Sequence, residues 1–244
     1  MNPLRFANGP ITAVCLAAHA DDVEIAVGGT LLTLAARGSV SGHWLTLCGS
    51  AERRAEAQAA AEEFLPGARS TFYDFPDGRL PAYWDDVKDA VHRFAAELPS
   101  VDVVFAPRPD DAHQDHRLLG VMATTVWRDA QVLHYEIPKW DGDMGRPNAY
   151  VPIAPDLARR KVEALDRHYQ SQLGRDWWDE EMFLGLMRIR GMECRARYAE
   201  AFHIGKTILD FGQATVPEAD FFDSTEVRSA SSPQNGHRLP VSAP

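Results

Sequence analysis

The apolar residues of this chain fall into short runs that alternate with longer stretches of helical character. The run Ile11 to Ala17 has no polar alternation near its end, which is typical of a strand buried on both faces of a parallel sheet. Val40 to Cys48 and Val101 to Ala106 are predicted as further strands, and the helices Ile25 to Arg37 and Trp84 to Leu98 lie between them. This alternation predicts an α/β fold, Rossmann-like, with a mostly parallel sheet and helices on both faces.

The remaining predicted elements continue the same alternation. In chain order they are a helix from Ala51 to Leu65, strands Thr71 to Phe75 and Gln131 to Ile137, a helix from His113 to about Arg128, a helix from Pro155 to His168 and an amphipathic stretch from Leu173 to Ile189. We interpret residues 1–223 as one domain and residues 224–244, rich in Ser, Pro and polar residues, as a disordered tail or a segment that orders against a partner subunit.

Two clusters of histidine and aspartate follow the ends of two predicted strands. The first is His19-Ala20-Asp21-Asp22, and the second is His113-Gln114-Asp115-His116. Open α/β folds place their ligands at the carboxyl ends of strands, and an imidazole beside two carboxylates is costly to hold together unless a cation joins them. Each cluster alone would suit a loop histidine followed by an aspartate that caps a helix. Together they predict a divalent metal site.

The number of donors in these clusters suits a catalytic site. Three protein ligands with a position left for water make a catalytic zinc site, whereas four make a closed structural site. His19 and His116 supply two ligands, and the sequence alone leaves open which of Asp21 and Asp22 supplies the third. Two histidines and one carboxylate also suit a non-haem Fe(II) oxygenase, and a non-catalytic sugar- or metal-binding module would keep the same ligands.

The sequence resembles the LmbE/PIG-L-like zinc-dependent N-acetylglucosaminyl deacetylases. The resemblance rests on the two clusters and Gly28-Gly29-Thr30-Leu31, and it covers about residues 10 to 203. Weaker similarities lie at Arg53, Glu56, Pro76 to Leu80, Lys161 to Gln172 and Tyr198 to Phe202. Where this chain has Ala20 the family usually has proline, and where it has Ser50 the family usually has an acidic residue, a departure that concerns substrate contacts. The resemblance implies a hydrolase that removes the acetyl group from an N-acetylated amino sugar or its glycoside.

The resemblance also implies roles for individual residues. The implied metal ligands are His19, Asp22 and His116, with zinc as the metal and Fe²⁺ or Co²⁺ as alternatives. The implied catalytic residues are Asp21 as general base, His113 as the group that stabilises the oxyanion or protonates the leaving amine, and Asp115 as a carboxylate that orients an imidazole. For Asp115, a simple place at a helix N-terminus is nearly as good an interpretation.

Substrate contacts are predicted at the rim of the same site. We expect Arg53, by resemblance, and Asp77, at the end of a strand, to bind sugar hydroxyls. Without the resemblance, Arg53 would be interpreted as a solvated charge on a helix. Trp140, Trp177 and Trp178 would stack on a sugar or serve as ordinary core or rim aromatics. Gly28 and Gly29 inside a helix cost about 1 kcal/mol each relative to alanine, so we expect the helix to approach the sheet or a ligand closely there.

The composition of the chain limits the classes of partner that it is expected to bind. With 25 Lys and Arg against 35 Asp and Glu, the net charge of −10 disfavours nucleic acid and anionic membrane surfaces. The three cysteines have no paired metal spacing, and the N-terminus has no hydrophobic signal core. We therefore expect a cytoplasmic protein whose partner is a small molecule, with a homo-oligomer possible. No G-x-G-x-x-G is present, which argues against a dinucleotide.

Overall fold

The computed structural model describes residue 6 and residues 9–208, which form a seven-stranded sheet covered by helices. The strands are β1 (Ile11–Ala17), β2 (Val40–Cys48), β3 (Arg69–Phe75), β4 (Val103–Pro107), β5 (Gln131–Tyr135), β6 (Ala149–Ile153) and β7 (Tyr198–His203). The α-helices are α1 (Asp22–Arg37), α2 (Ala51–Phe64), α3 (Trp84–Ala96), α4 (Gln114–Val126), α5 (Pro155–His168) and α6 (Glu180–Cys194). Short 3₁₀ helices span Leu80–Tyr83 and Gln170–Gln172.

The sheet confirms the predicted mostly parallel α/β architecture. Its order is β3-β2-β1-β4-β5-β7-β6, and the first five strands of this order are mutually parallel. The order reverses between β1 and β4, which lie side by side with Ala13 opposite Val103 and Cys15 opposite Phe105. Such a reversal opens a crevice at the carboxyl ends of the two strands, where α/β proteins bind their ligands.

The antiparallel edge formed by β6 and β7 was not predicted. β7 pairs with β5 through His134 and His203, and β6 then adds to the outer side of β7. β6 is short and only partly buried, and it contains Pro152, so it lacks the apolar run that marks the parallel strands. β7 is almost wholly buried, but the acidic Glu200 in its middle interrupts the apolar pattern by which a buried strand is predicted from sequence.

Alternate residues of β1 enter two separate cores, one on each face of the sheet. Ala13, Cys15 and Ala17 belong to the core under α1, α2, α5 and α6, whereas Val14 and Leu16 belong to the core under α3 and α4. Because both faces of β1 are buried, its sequence is apolar without alternation. The two layers of helices confirm the predicted placement on both faces.

The glycine pair in α1 marks the expected close approach to the sheet. A Cβ at Gly28 would lie 2.7 Å from the Phe64 ring of α2, and one at Gly29 would lie 3.0 Å from the carboxylate of Glu200 in β7. Larger residues would therefore push α1 away from its neighbours. No described helix is both long and apolar enough to span a lipid bilayer. The predicted domain boundary at residue 223 and the predicted tail 224–244 lie outside the described residues.

Candidate metal centre

The two clusters meet in the crevice between β1 and β4. The loop after β1 carries His19 to Asp21, and the loop after β4 leads through residues 108–113 into α4. Helix α1 begins at Asp22, three residues before the predicted start, so that the Asp22 carboxylate lies in the first helical turn and accepts a hydrogen bond from His19 N–H at 2.9 Å. Asp21, the N-cap residue, has a φ of +155°, an angle that residues other than glycine rarely adopt.

Donor atoms of three residues converge in this crevice. His19 Nδ1 lies 3.1 Å from His116 Nε2, His116 Nε2 lies 3.3 Å from Asp22 Oδ1, and His19 Nδ1 lies 3.6 Å from Asp22 Oδ2. A tetrahedral zinc site with bonds of about 2.0–2.1 Å places its ligand atoms about 3.3 Å apart. The separations and the donor chemistry of His19, Asp22 and His116 therefore fit a zinc ion.

His113 enlarges the set of possible ligands. Ring nitrogens of His19, His113 and His116 lie within 4.8 Å of one another, and a second group with the same spread joins His19 and His113 to Asp77 and Asp115. His113 caps α4, where its Nδ1 accepts the Asp115 N–H at 3.3 Å. In the neutral ring the proton is therefore on Nε2, so His113 has a donor to offer.

Carboxylates hold the outer nitrogen of His19. Its Nε2 lies 3.0 Å from Asp77 Oδ1 and 3.4 Å from Asp115 Oδ2. Asp115 is fully buried and also accepts the backbone N–H groups of Gly78 and Leu80 at 2.8 and 3.0 Å. Asp115 thus joins the turn after β3 to the His19 imidazole, which goes beyond a place at a helix N-terminus. Asp77 is predominantly exposed, with 78% of its side chain accessible.

A carboxylate that the sequence analysis did not assign holds the outer nitrogen of His116. Asp111 Oδ2 lies 3.2 Å from His116 Nδ1, and the carboxylate is buried. Histidines that bind metals almost always direct their second nitrogen at such an acceptor. The sequence signal was the acidic pair Asp110-Asp111 just ahead of the second cluster, but nothing in the sequence shows that only Asp111 turns inward.

Arg53 lies in the site, as the resemblance implies, and its partner there is Asp21. Arg53 Nη2 lies 2.7 Å from Asp21 Oδ2. Its Nη1 lies 3.2 Å from both Glu56 Oε2 and Ser171 Oγ, and Glu56 accepts the Ser171 N–H and hydroxyl in turn. The interpretation of Arg53 as a solvated helix charge is therefore wrong. The guanidinium connects α1, α2 and the 3₁₀ turn after α5.

Burial and charge shift the ionisation of this cluster. Burial raises the pKa of Asp21 to about 6, although the Arg53 guanidinium opposes this shift. Burial also disfavours the Asp22 carboxylate, but the imidazoles of His116 and His19 hold its pKa well below the usual range. Burial lowers the pKa of His116, yet the carboxylates that face the ring outweigh it and raise the pKa to about 9. The crevice thus concentrates negative charge around its imidazoles, which favours a bound cation.

The three candidate tryptophans divide into two environments. Trp178 belongs to the core, where its ring packs against Tyr169 and Phe183 and its indole N–H donates to Asp166 at 2.8 Å. Trp177 packs against Trp178 with a centroid separation of 5.5 Å. Trp140 is 74% exposed in the segment between β5 and β6. Of the three, Trp140 alone presents most of its ring to solvent.

Comparison with known proteins finds similarity over the part of the chain that carries both clusters. Residues 14–127, which include both clusters, match the family described as "PIG-L: GlcNAc-PI de-N-acetylase". Diacetylchitobiose deacetylase from Thermococcus kodakarensis is 27% identical over 221 residues, which cover 77% of this chain and 80% of that protein.

Solved structures share the fold. N,N'-diacetylchitobiose deacetylase from Pyrococcus horikoshii is 22% identical with a TM-score of 0.59, over 79% of this chain and 83% of that one. The 4-carboxy-2-hydroxymuconate hydratase from Pseudomonas putida KT2440 is 19% identical with a TM-score of 0.64, over 82% and 98% of the two chains. At these identities the structures show a common fold, and the fold serves more than one chemistry.

Proposed function

We propose that this chain, whose residues 14–127 match the PIG-L family of de-N-acetylases, removes the acetyl group from an N-acetylated amino sugar or its glycoside by metal-dependent hydrolysis. The observation that carries this proposal is the convergence of His19, Asp22 and His116 within 3.1 to 3.6 Å beside a separate carboxylate, Asp21. Hydrolysis of an unactivated amide needs both an electrophilic cation and a base, and this crevice offers ligands for the first and a candidate for the second.

Zinc is the proposed metal, and His19, Asp22 and His116 are its proposed ligands. Three ligands leave room for water and the substrate carbonyl, and bound zinc would supply a water of pKa about 7 and polarise the carbonyl. Fe²⁺ or Co²⁺ would suit the same imidazole and carboxylate donors.

Asp21 is proposed as the general base. Arg53 holds one of its oxygens at 2.7 Å, which leaves the other oxygen to accept a proton from the attacking water. The burial that raises the pKa of Asp21 to about 6 makes its carboxylate a better proton acceptor than an exposed aspartate.

His113 is proposed to act on the other side of the amide. Burial and the nearby imidazoles of His19 and His116 lower the pKa of His113, so its resting ring is neutral. Its Nε2–H can then donate a hydrogen bond to the developing oxyanion. A ring that takes up the proton released by the attacking water, by way of Asp21 or solvent, can pass that proton to the leaving amine. Asp115 is proposed as the carboxylate that positions His19 for this chemistry.

The substrate is proposed to lie along the rim formed by Arg53, Asp77 and Trp140. Asp77 and Trp140 are exposed, so they can meet hydroxyls and a sugar face respectively. The two archaeal relatives act, by their names, on diacetylchitobiose, which supports a small N-acetylated sugar for this chain. A cytoplasmic location and a homo-oligomer remain predictions.

The test is to load the protein with zinc, iron or cobalt and offer it a panel of N-acetyl hexosamines, diacetylchitobiose and N-acetylated glycosides. Acetate and primary amine should appear in equal amounts, and the Asp21→Asn variant should release both on the order of 10² or more times more slowly. Binding without turnover by protein that carries metal would favour the sugar-binding module. Oxygen consumption with a 2-oxo acid, in place of acetate release, would favour the oxygenase.

A further inference from the structure

A buried aspartate holds both histidines of the second cluster. Asp111 is 2% exposed, and its Oδ2 lies 3.2 Å from His116 Nδ1. Its Oδ1 accepts the backbone N–H of His113 at 2.7 Å. One carboxylate therefore faces the ring of one histidine and accepts a hydrogen bond from the backbone of the other.

The contact with Asp111 sets which nitrogen of His116 faces the metal centre. With Nδ1 directed at Asp111, Nε2 is directed at His19 Nδ1 and Asp22 Oδ1, at 3.1 and 3.3 Å. The Asp111 carboxylate, 3.2 Å from Nδ1, favours a proton on that nitrogen, which leaves Nε2 with a free electron pair for a metal.

The same aspartate binds the segment of residues 138–148, which we call the rim segment. Lys139 Nζ lies 2.9 Å from Asp111 Oδ2 and 2.8 Å from Asp143 Oδ1. Asp143 Oδ2 accepts the backbone N–H of Ala112 at 2.7 Å. Lys139 thus compensates a carboxylate that would otherwise be buried beside other acids. Arg108 Nη1 also donates to the Asp143 carbonyl at 2.7 Å, so three contacts join the rim segment to the loop before α4.

We propose that Asp111 is a positioning residue that orients His116 for metal binding and, through Lys139, couples the rim segment to the metal centre. The inference rests on the proposed function because it takes His116 as a metal ligand. Its consequence is that Trp140, carried by the rim segment next to Lys139, keeps a defined position relative to the reacting amide. A substrate that contacts Trp140 would then be aligned with the metal through this connection.

The test compares Asp111→Asn with Asp110→Asn. Asparagine can keep an acceptor for the His113 N–H at the Oδ1 position, but it then sets an amide donor at the Oδ2 position, against both His116 Nδ1 and Lys139 Nζ. Affinity for Zn²⁺, from competition with a chromogenic chelator, should fall about 10- to 100-fold in Asp111→Asn. Asp110 is the matched control because its side chain is 72% exposed and pairs with Arg108. Asp110→Asn should stay within about twofold of wild type.

Amide hydrogen exchange tests the coupling. Exchange in residues 138–148 should become faster in both Asp111→Asn and Lys139→Met, because each removes the ion pair between Asp111 and Lys139, one of the contacts that anchor the segment. Lys139→Met keeps the contact between Asp111 and His116, so its Zn²⁺ affinity should change by less than about threefold. The two variants therefore separate orientation of the ligand from anchoring of the segment.

Wild-type Zn²⁺ affinity in Asp111→Asn, or unchanged exchange in the rim segment of both variants, would overturn the inference. Failure of the wild-type protein to bind metal would instead defeat the proposed function. Melting curves of the metal-free proteins establish that each variant folds. If Asp111→Asn does not fold, Asp111→Glu replaces it, since the longer carboxylate displaces the oxygen that faces His116.

Discussion

Arg53 Nη2 lies 2.7 Å from Oδ2 of Asp21, the carboxylate that we propose as the general base. An arginine that grips substrate hydroxyls would present its guanidinium to solvent, whereas this one is already engaged by Asp21, Glu56 and Ser171. The geometry therefore supports a role in holding the base, in addition to the substrate contact implied by the resemblance. These two roles predict different kinetics.

For Arg53→Ala, we expect kcat to fall by at least about tenfold, with a smaller change in KM, because the Asp21 carboxylate loses the partner that fixes its orientation. Steady-state kinetics on the best substrate of the panel measure the two constants. Arg54→Ala, at the next position of α2, is the control and should leave both constants near wild type. A rise in KM at unchanged kcat would indicate substrate binding alone.

Replacement of the proposed base should separate chemistry from binding. Asp21→Asn keeps the size of the side chain but cannot accept the proton, so kcat should fall by on the order of 10² or more. Metal content, from elemental analysis, should stay at wild-type level because Asp21 is not a proposed ligand. Loss of metal from Asp21→Asn would mean that Asp21, and not Asp22, completes the donor set.

The ligand assignment predicts about one equivalent of metal per chain, since three donors define one open site. His19→Ala, Asp22→Ala and His116→Ala should each lose this metal. His113→Ala should retain it while activity falls, because His113 is proposed as a proton donor. Loss of metal from His113→Ala would instead favour the group of three histidines, whose ring nitrogens also lie within 4.8 Å of one another.

A buried ion pair should stabilise the helix that carries the ligand Asp22. Lys161 Nζ lies 2.7 Å from Glu200 Oε1 and also donates to the Ile25 carbonyl, while Glu200 accepts the N–H groups of Gly29 and Thr30 at 2.7 Å. Lys161→Met leaves the Glu200 charge buried without its cation, so the free energy of unfolding should fall by about 3–5 kcal/mol.

Urea denaturation measures this loss. The control is Arg167→Ala, which removes an ion pair with Glu63 at an exposed position, and it should move the midpoint much less. Equal effects of the two variants would mean that the pair between Lys161 and Glu200 contributes no more than a surface contact.

Trp140 should influence the choice of substrate more than the chemistry. Because its ring is exposed and follows Lys139, which contacts Asp111, Trp140→Ala should raise KM for glycosides with a large aglycone more than KM for N-acetylglucosamine. Comparison of the two substrates with one enzyme preparation provides an internal control. An equal rise in KM for the glycoside and for N-acetylglucosamine would show that Trp140 does not contact the aglycone.

The sequence by itself determined the parallel part of the fold and the residue types of the site. Strands buried on both faces are predominantly apolar, so β1, β2, β4 and β5 could be predicted within a few residues from local composition. The carboxyl ends of parallel strands meet at one edge, so the two histidine clusters could be expected to come together there.

Only the tertiary structure decided which residues beside the two histidine clusters contribute to the site. Asp110 and Asp111 are adjacent in sequence, yet one is exposed beside Arg108 and the other is buried against His116. Glu200 reaches Gly29 across 171 residues, and no local pattern records such a contact. The local periodicity of the sequence shows which residues become buried on folding. The direction of each buried polar side chain depends instead on hydrogen-bond partners that packing brings from distant parts of the chain.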